Sequence, residues 1–247
     1  MLGSSASISG ANTTLNTAVA EILKQFADEL EKTDDFEKTL HELIKKVVTN
    51  HKRIIFNGNG YDDKWLKEAE KRGLLNILTT PEALPYFVAK KNVDLFTSHK
   101  VYTEKEMYSR LEILQESYCK LIQIEGKTMV EMTLKDILPA VSEYSRALSD
   151  TLLSKKAVSK KLPCDYEEEI LKKISFLSSQ AYSVTKLLQY ALDKASAILN
   201  PETLSMYYKD EVLSKMQLLR GYADELENLV SSDYWPFPTY GDLLFGI

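Results

Sequence analysis

Cysteine and histidine are scarce in this sequence, at 2 and 3 of its 247 residues. Cys119 and Cys164 are too few for a disulfide framework, and neither lies in a C-x-x-C or Cys/His spacing that would suggest zinc. A reducing compartment is expected. His41, His51 and His99 are far apart, with no acidic or cysteine neighbours at metal-ligand spacing, so each reads as a surface or capping residue. Long hydrophobic runs are missing too. Without about 18 consecutive apolar residues no membrane-spanning helix is expected, and residues 1–12 lack the basic region and apolar stretch of a signal peptide. The chain is therefore expected in the cytoplasm. Finally, 31 basic against 36 acidic residues leave a net charge of −5, which gives no electrostatic reason to expect nucleic acid or an anionic membrane as partner.

What is present is helical patterning. With 44% hydrophobic residues the chain can bury a real core, as one domain or two. Gly3-Ser4-Ser5-Ala6-Ser7-Ile8-Ser9-Gly10 is a small-residue loop ahead of a strongly patterned helix. From Thr14, the residues Leu15, Val19, Ile22, Leu23, Phe26 and Leu30 recur at three- and four-residue steps. A second stripe, Phe36, Leu40, Leu43, Ile44, Val47 and Val48, follows the link Thr33-Asp34-Asp35 and predicts an antiparallel helix pair. Ile54-Ile55-Phe56 closed by Asn57-Gly58-Asn59-Gly60 reads as a buried extended piece and a turn, because Asn and Gly tolerate positive φ. Asp62 caps a short helix through Trp65, Leu66 and Ala69 that Gly73 ends. Thr80 and Pro81 open another, with the Thr80 hydroxyl as N-cap, and Pro85 limits it.

Near Thr103 the pattern changes. Thr103 and Glu106 form a capping box before a long helix carrying Met107, Leu111, Leu114, Tyr118 and Leu121, which continues past Met129 and Met132 to Ile137 and Leu138 with weak points at Gly126 and Pro139. A second box at Asp165 and Glu168 precedes Ile170, Ile174, Leu177, Ala181, Val184, Leu188, Ala191 and Ile198 in near-heptad spacing. Asn200-Pro201 then starts a helix through Leu204, Tyr208, Val212, Met216, Leu219, Ala223, Leu226 and Leu229. Three long helices make a bundle or a protruding hairpin. The tail, Tyr234-Trp235-Pro236-Phe237-Pro238-Thr239-Tyr240-Gly241-Asp242-Leu243-Leu244-Phe245, is too rich in proline for a helix and too apolar for a solvated end. It must dock, on its own domain or on another subunit.

Chemistry-bearing constellations are few. The Asn57–Gly60 turn could present amides to a phosphate, but no Gly-Lys-Ser/Thr follows it, so turn geometry is the better reading. The pairs Asp34-Asp35 and Asp62-Asp63 and the run Glu167-Glu168-Glu169 sit at helix starts, where the macrodipole favours negative charge without any catalytic role. Met129 and Met132 are core material. No residue is assigned a catalytic, cofactor-binding or metal role. Alone, these residues describe a helical interaction domain.

Three stretches add a resemblance. The first, residues 3–12 with Leu15-Asn16-Thr17-Ala18-Val19-Ala20-Glu21, resembles the loop and helix late in the catalytic domain of type III glutamine synthetases. Lys52-Arg53-Ile54-Ile55-Phe56-Asn57-Gly58-Asn59-Gly60-Tyr61, with Trp65, Glu68-Ala69-Glu70-Lys71-Arg72-Gly73-Leu74 and Ala83-Leu84-Pro85, resembles the stretch joining that domain to the family's C-terminal extension. Ile137-Leu138-Pro139-Ala140-Val141-Ser142 and the aromatic tail are similar to the extension's helical core and closing motif. Ala11 stands where the family usually has proline, and Gly126 where it usually has alanine.

The resemblance implies a mainly α fold. Residues 1–100 would be the C-terminal end of the catalytic domain, a helical layer outside its sheet, and residues 101–247 the helical extension. It implies an ATP-dependent ligase that joins ammonia to glutamate through a phosphorylated glutamate, using Mg2+ or Mn2+, in ring-type homo-oligomers. The β-grasp domain, the nucleotide and glutamate sites and the metal-binding glutamates would precede Met1, so this segment alone would be inactive and bind neither ATP nor metal. Val19, Ile22, Phe26 and Leu40 would then form an exposed apolar patch. Two alternatives remain: a free-standing helical regulator derived from the synthetase, or an independent enzyme using the Asn57–Gly60 turn.

Overall fold

The computed structural model describes residues 7–238 and 240–245. Among them there is no strand, and the fold is mainly α, as the periodicity predicts. The chain divides into two compact units, Met1–Ile113 and Leu114–Ile247.

In the first unit, α1 (Ser9–Leu30) starts before Thr14 and takes in Ser9 and Gly10 of the expected loop, whose residues 3–6 lie outside the described part. Asp35 caps α2 (Phe36–Asn50), its carboxylate accepting the Lys38 N–H at 3.2 Å. The two helices meet through buried Leu43 and an ion pair between Lys46 and Glu29 at 3.0 Å. The segment expected to be buried and extended is neither. Residues Lys52–Ile54 form a single 3-10 turn, and Ile54, Ile55 and Phe56 are exposed. No strand among the described residues pairs with this run, and Phe56 instead stacks on Trp65 with centroids 3.9 Å apart.

Asp62 caps α3 (Asp63–Lys71) by accepting the Lys64 N–H at 2.9 Å. Gly73 ends it at φ 71°, with Gly73 N–H donating to the Glu70 carbonyl and Leu74 N–H to the Ala69 carbonyl, both at 2.9 Å. These two bonds satisfy carbonyls that the helix end would strand, and the left-handed backbone is what selects glycine. The N-cap of α4 (Thr80–Ala83) is Thr79, not Thr80, and the Thr79 hydroxyl donates to Glu82 at 2.6 Å rather than accepting a backbone N–H. Thr80 has already entered the helix, so its hydroxyl cannot cap it. A 3-10 turn, Leu84–Val88, follows from Pro85, and α5 (Lys90–Ser98) buries Phe96 against the rings of Phe87 and Tyr102. Thr103 and Glu106 form the expected capping box of α6 (Glu104–Met132): the Thr103 hydroxyl accepts the Glu106 N–H at 3.2 Å, and Glu106 accepts the Thr103 N–H at 2.7 Å.

The second unit is three long helical runs. α6 passes through a π turn, Thr133–Ile137, into α7 (Leu138–Val158). α8 spans Asp165–Ala195. α9 (Pro201–Tyr207) continues through a second π turn, Tyr208–Val212, into α10 (Leu213–Leu229). Pro139 therefore does not end the first run. It sits at the start of α7, and the π turn just before it rearranges the hydrogen bonds that its missing N–H disturbs. Gly126 is no interruption either: a Cβ there would lie 3.2 Å from Leu192 and 3.5 Å from Met216, so the glycine lets those side chains close on α6.

Met107 is buried as expected, but from there the buried line of α6 runs through Gln115, Cys119, Ile122 and Gly126 to Thr133 of the π turn rather than through Leu114 and Leu121, which are exposed. Hydropathy spacing passes over the small and polar residues of that seam. The near-heptad residues of α8 are buried as expected, from Ile174 to Ala191, and so are Tyr208, Val212, Met216, Leu219 and Leu226. Asn200 caps α9 by accepting the Thr203 N–H at 2.9 Å, with Pro201 opening the helix. The expected box at Asp165 and Glu168 does not form. Cys164 holds the N-cap position, which leaves Asp165 inside the helix, and Glu168 pairs instead with Lys156 at 2.6 Å.

The tail docks in part. Trp235 and Phe237 pack on the bundle core, and the Tyr234 ring lies 5.4 Å from that of Tyr144. The expectation that the tail holds no helix fails at α11 (Tyr240–Phe245), since the last proline is Pro238 and nothing beyond it blocks helical φ. Leu243, Leu244 and Phe245 are exposed.

Candidate interaction surfaces

The three histidines do not meet. His41 and His51 are exposed, and Nε2 of His99 lies 2.6 Å from the Glu21 carboxylate, a tie between α5 and α1 that spacing 78 residues apart could not announce. Hydrogen bonds from Gln25 and then His99 hold the Glu21 carboxyl below its ordinary range. Among the described residues, no group of three or more His, Cys, Asp or Glu could hold a metal ion.

The Asn57–Gly60 turn is built for packing. Phe56 comes so close that a Cβ on Gly58 would lie 2.7 Å from its ring. Arg72 braces the segment from α3, donating to the Ile55 carbonyl at 3.1 Å, pairing with Glu68 at 2.7 Å and lying 5.4 Å from the Trp65 ring centre. Asn59 accepts the Tyr61 N–H at 3.0 Å. Only Gly73 and Lys100 have positive φ among the described residues, so the turn does not use the left-handed backbone expected of it. It therefore lacks the alternating right- and left-handed backbone that forms an anion-cradling nest.

The carboxylates of the α8 start are engaged by lysines. Glu167, Glu168 and Glu169 pair with Lys155, Lys156 and Lys173, so local ion pairing and the helix dipole account for them. Lys155 holds the Glu167 carboxyl below its usual range, although Oε2 of this buried residue has no partner.

Two features remain. In the first unit, Leu15, Val19, Ile22 and Leu23 of α1 are 64%, 57%, 45% and 61% exposed, and Ile44 and Val48 of α2 are exposed as well. Phe26 and Leu40, expected in the same patch, are half-buried. A helix pair that shows this much apolar surface is shaped to be covered. In the second unit, a cavity of about 460 Å³ lies between α6, α10 and the tail, walled by Met129, Ile137, Leu219, Trp235 and Phe237.

Comparison with known proteins places these features. Residues 39–156 match the glutamine synthetase C-terminal domain. The chain is 38% identical to a glutamine synthetase of Butyrivibrio fibrisolvens over 87% of its own length, and 31% identical to a type-3 glutamine synthetase of Dictyostelium discoideum over 94% of its length. A glutamine synthetase of Bacteroides fragilis is 27% identical over 98% of the chain. The chain belongs to the glutamine synthetase family. It spans about a third of the length of the curated relatives it matches, namely 31%, 32% and 34% of them.

As a glutamine synthetase segment, the chain has its family domain running from within α2 to near the end of α7, across both compact units. The aromatic turn at Phe56, the Gly73 cap and the Thr103 box all fall inside that domain, whereas the α1 face and the tail fall outside it. No helix among the described residues is long and apolar enough to cross a membrane. Sequence reasoning missed α5 and the Arg72 brace, since neither is announced by an apolar period or a capping motif.

Proposed function

We propose that this chain is the structural, assembly-forming C-terminal part of a type III glutamine synthetase. In this reading the whole protein is a cytoplasmic ATP-dependent ligase of nitrogen assimilation. It phosphorylates glutamate and lets ammonia displace the phosphate. Oxygen-ligated Mg2+ or Mn2+ would clamp the transferring phosphoryl group, stabilising its charge in the way usual for such transfers. The groups that do this work would lie in the two thirds of the relatives' length that the chain does not span.

The observation that carries the reading is the pairing of similarity over 87% of the chain with coverage of 31% of the relative. The exposed faces of α1 and α2 agree with it, because their apolar side chains suit the back of a catalytic sheet supplied by the remaining sequence. In the second unit, α8, α10 and the tail carry the subunit contacts of a ring-type oligomer, with Phe176, Leu187 and Tyr190 exposed along α8.

The test is an assay of ATP-dependent glutamine formation by the purified chain, and by a full-length relative with and without residues 234–247. The chain alone should show no turnover, and the shortened relative should fall to smaller oligomers by sedimentation. Turnover by the chain alone, or an intact ring after the deletion, sinks the respective half of the proposal.

A further inference from the structure

The cavity between α6, α10 and the tail has a wall chemistry that suits a small molecule. Met129, Ile137, Leu219, Trp235 and Phe237 make it apolar and partly aromatic, and its volume of about 460 Å³ lies in the range of small-molecule sites. One side is the π turn that begins at Thr133. Such turns are uncommon in helices and recur at functional sites. The opposite side is the docked tail.

The charged wall residues, Arg220, Asp224 and Glu227, come from α10, and Thr133 adds a hydroxyl from the π turn. Arg220 pairs with Asp224 at 3.3 Å. Glu227 is half-buried, and its carboxylate makes no hydrogen bond or ion pair among the described residues. A half-buried carboxylate beside an apolar, aromatic wall is the arrangement that recognises an organic cation, since the indole face attracts positive charge and the carboxylate accepts its N–H donors.

We propose that this cavity binds an organic ammonium ion, a single cationic nitrogen carried on an apolar body, with Glu227 taking the nitrogen and Trp235 and Phe237 enclosing the body. The volume sets the size class, and the Glu227 carboxylate sets the sign. The site shares its α10 and tail walls with the surfaces proposed for assembly and no residue with the apolar face of α1.

The test uses 4-phenylbutylamine, 4-phenylbutyrate and 4-phenylbutanol as probes of matched shape and different charge. The chain has two tryptophans, Trp65 and Trp235, so Trp65→Phe leaves Trp235 as the only indole reporter. In that background the amine should bind at least about tenfold more tightly than the carboxylate, the margin expected of one charge-assisted hydrogen bond. Glu227→Gln should bring the amine and the alcohol to within about twofold of each other, since it removes the charge and keeps the shape. Ala223→Leu, which fills the cavity, should abolish binding of all three while the far-ultraviolet circular dichroism stays unchanged. Equal binding of amine and carboxylate, binding of no probe, or amine binding that survives both substitutions overturns the proposal. So does self-association that excludes the amine as protein concentration rises, which would assign the cavity to a second copy of the chain.

Discussion

Glu21 and His99 lie 78 positions apart in the sequence, and the His99 Nε2 is 2.6 Å from the Glu21 carboxylate. Their contact joins α1 to α5 at a partly buried spot, which makes it a pin for the position of α1. The Glu21 pKa is lowered, so its contribution is fully present above the ordinary carboxylate range near 4.5 and is lost as pH falls through the lower folded value. Glu21→Gln should therefore reduce the melting temperature at pH 6 and converge with the parent chain at pH 3. Equal melting temperatures at pH 6 would remove the pin.

The bundle core gives a sharper contrast. Leu188 is completely buried and Leu121 is 56% exposed, although both belong to apolar stripes read from the sequence. Leu188→Ala should cost about 2–5 kcal/mol in urea unfolding through lost transfer energy and the cavity left behind. Leu121→Ala should stay within about 0.5 kcal/mol. If the two cost the same, the register of α6 is wrong.

That contrast shows how far the sequence was legible. Helix starts that depend on local chemistry could be read directly: Asp62, Thr103 and Asn200 cap where their side chains predict, and Gly73 ends α3 because its left-handed φ is a local demand. The α8 stripe was legible because one face of a long, regular helix stays in phase. The α6 face was not, because its buried line runs through Gln115, Gly126 and, in the π turn that follows, Thr133, which a hydropathy period passes over. Contacts made across long separations, such as Arg72 bracing Ile55 or Glu21 meeting His99, leave no period to detect. The cavity was equally hidden, since its walls come from helices and a tail about 100 residues apart in sequence.

Gly126 separates two opposing effects. Alanine improves helix propensity by about 1 kcal/mol, while its Cβ would meet Leu192 at 3.2 Å, close enough that the leucine must yield slightly. The contacted atoms are the ends of flexible side chains, so Gly126→Ala should stabilise the chain by less than about 1 kcal/mol. Gly126→Leu has no such escape and should destabilise by about 1–3 kcal/mol through overpacking. Denaturant midpoints of the two variants, measured side by side, check both signs.

The apolar face of α1 predicts behaviour rather than stability. Val19 and Ile22 are 57% and 45% exposed, so Val19→Glu with Ile22→Glu should leave the melting temperature of the chain nearly unchanged. The same change should lower its tendency to aggregate, as read by light scattering during storage. Introduced into a full-length relative, it should abolish soluble assembly, because two carboxylates would be buried without partners. A full-length protein that assembles normally would show that nothing covers this face.

Lys155 and Glu167 offer a test in which removing less is worse than removing more. Glu167 is buried at the start of α8, Lys155 from the last turn of α7 is its partner, and Oε2 has none. Lys155→Met strands a carboxylate that the fold holds in its charged form, so it should destabilise the chain more than Lys156→Met, whose partner Glu168 is far more exposed. Adding Glu167→Met should recover much of the loss, since two apolar side chains of similar length can replace a buried pair. The Glu167 pKa is lowered by the Lys155 hydrogen bond, so the pair stabilises above the unfolded carboxylate range, and the gap between parent and Lys155→Met should close as the solution is acidified. A double variant no more stable than Lys155→Met would mean that Lys155 acts through packing of its stem, and that the charge on Glu167 contributes nothing to holding α7 against α8.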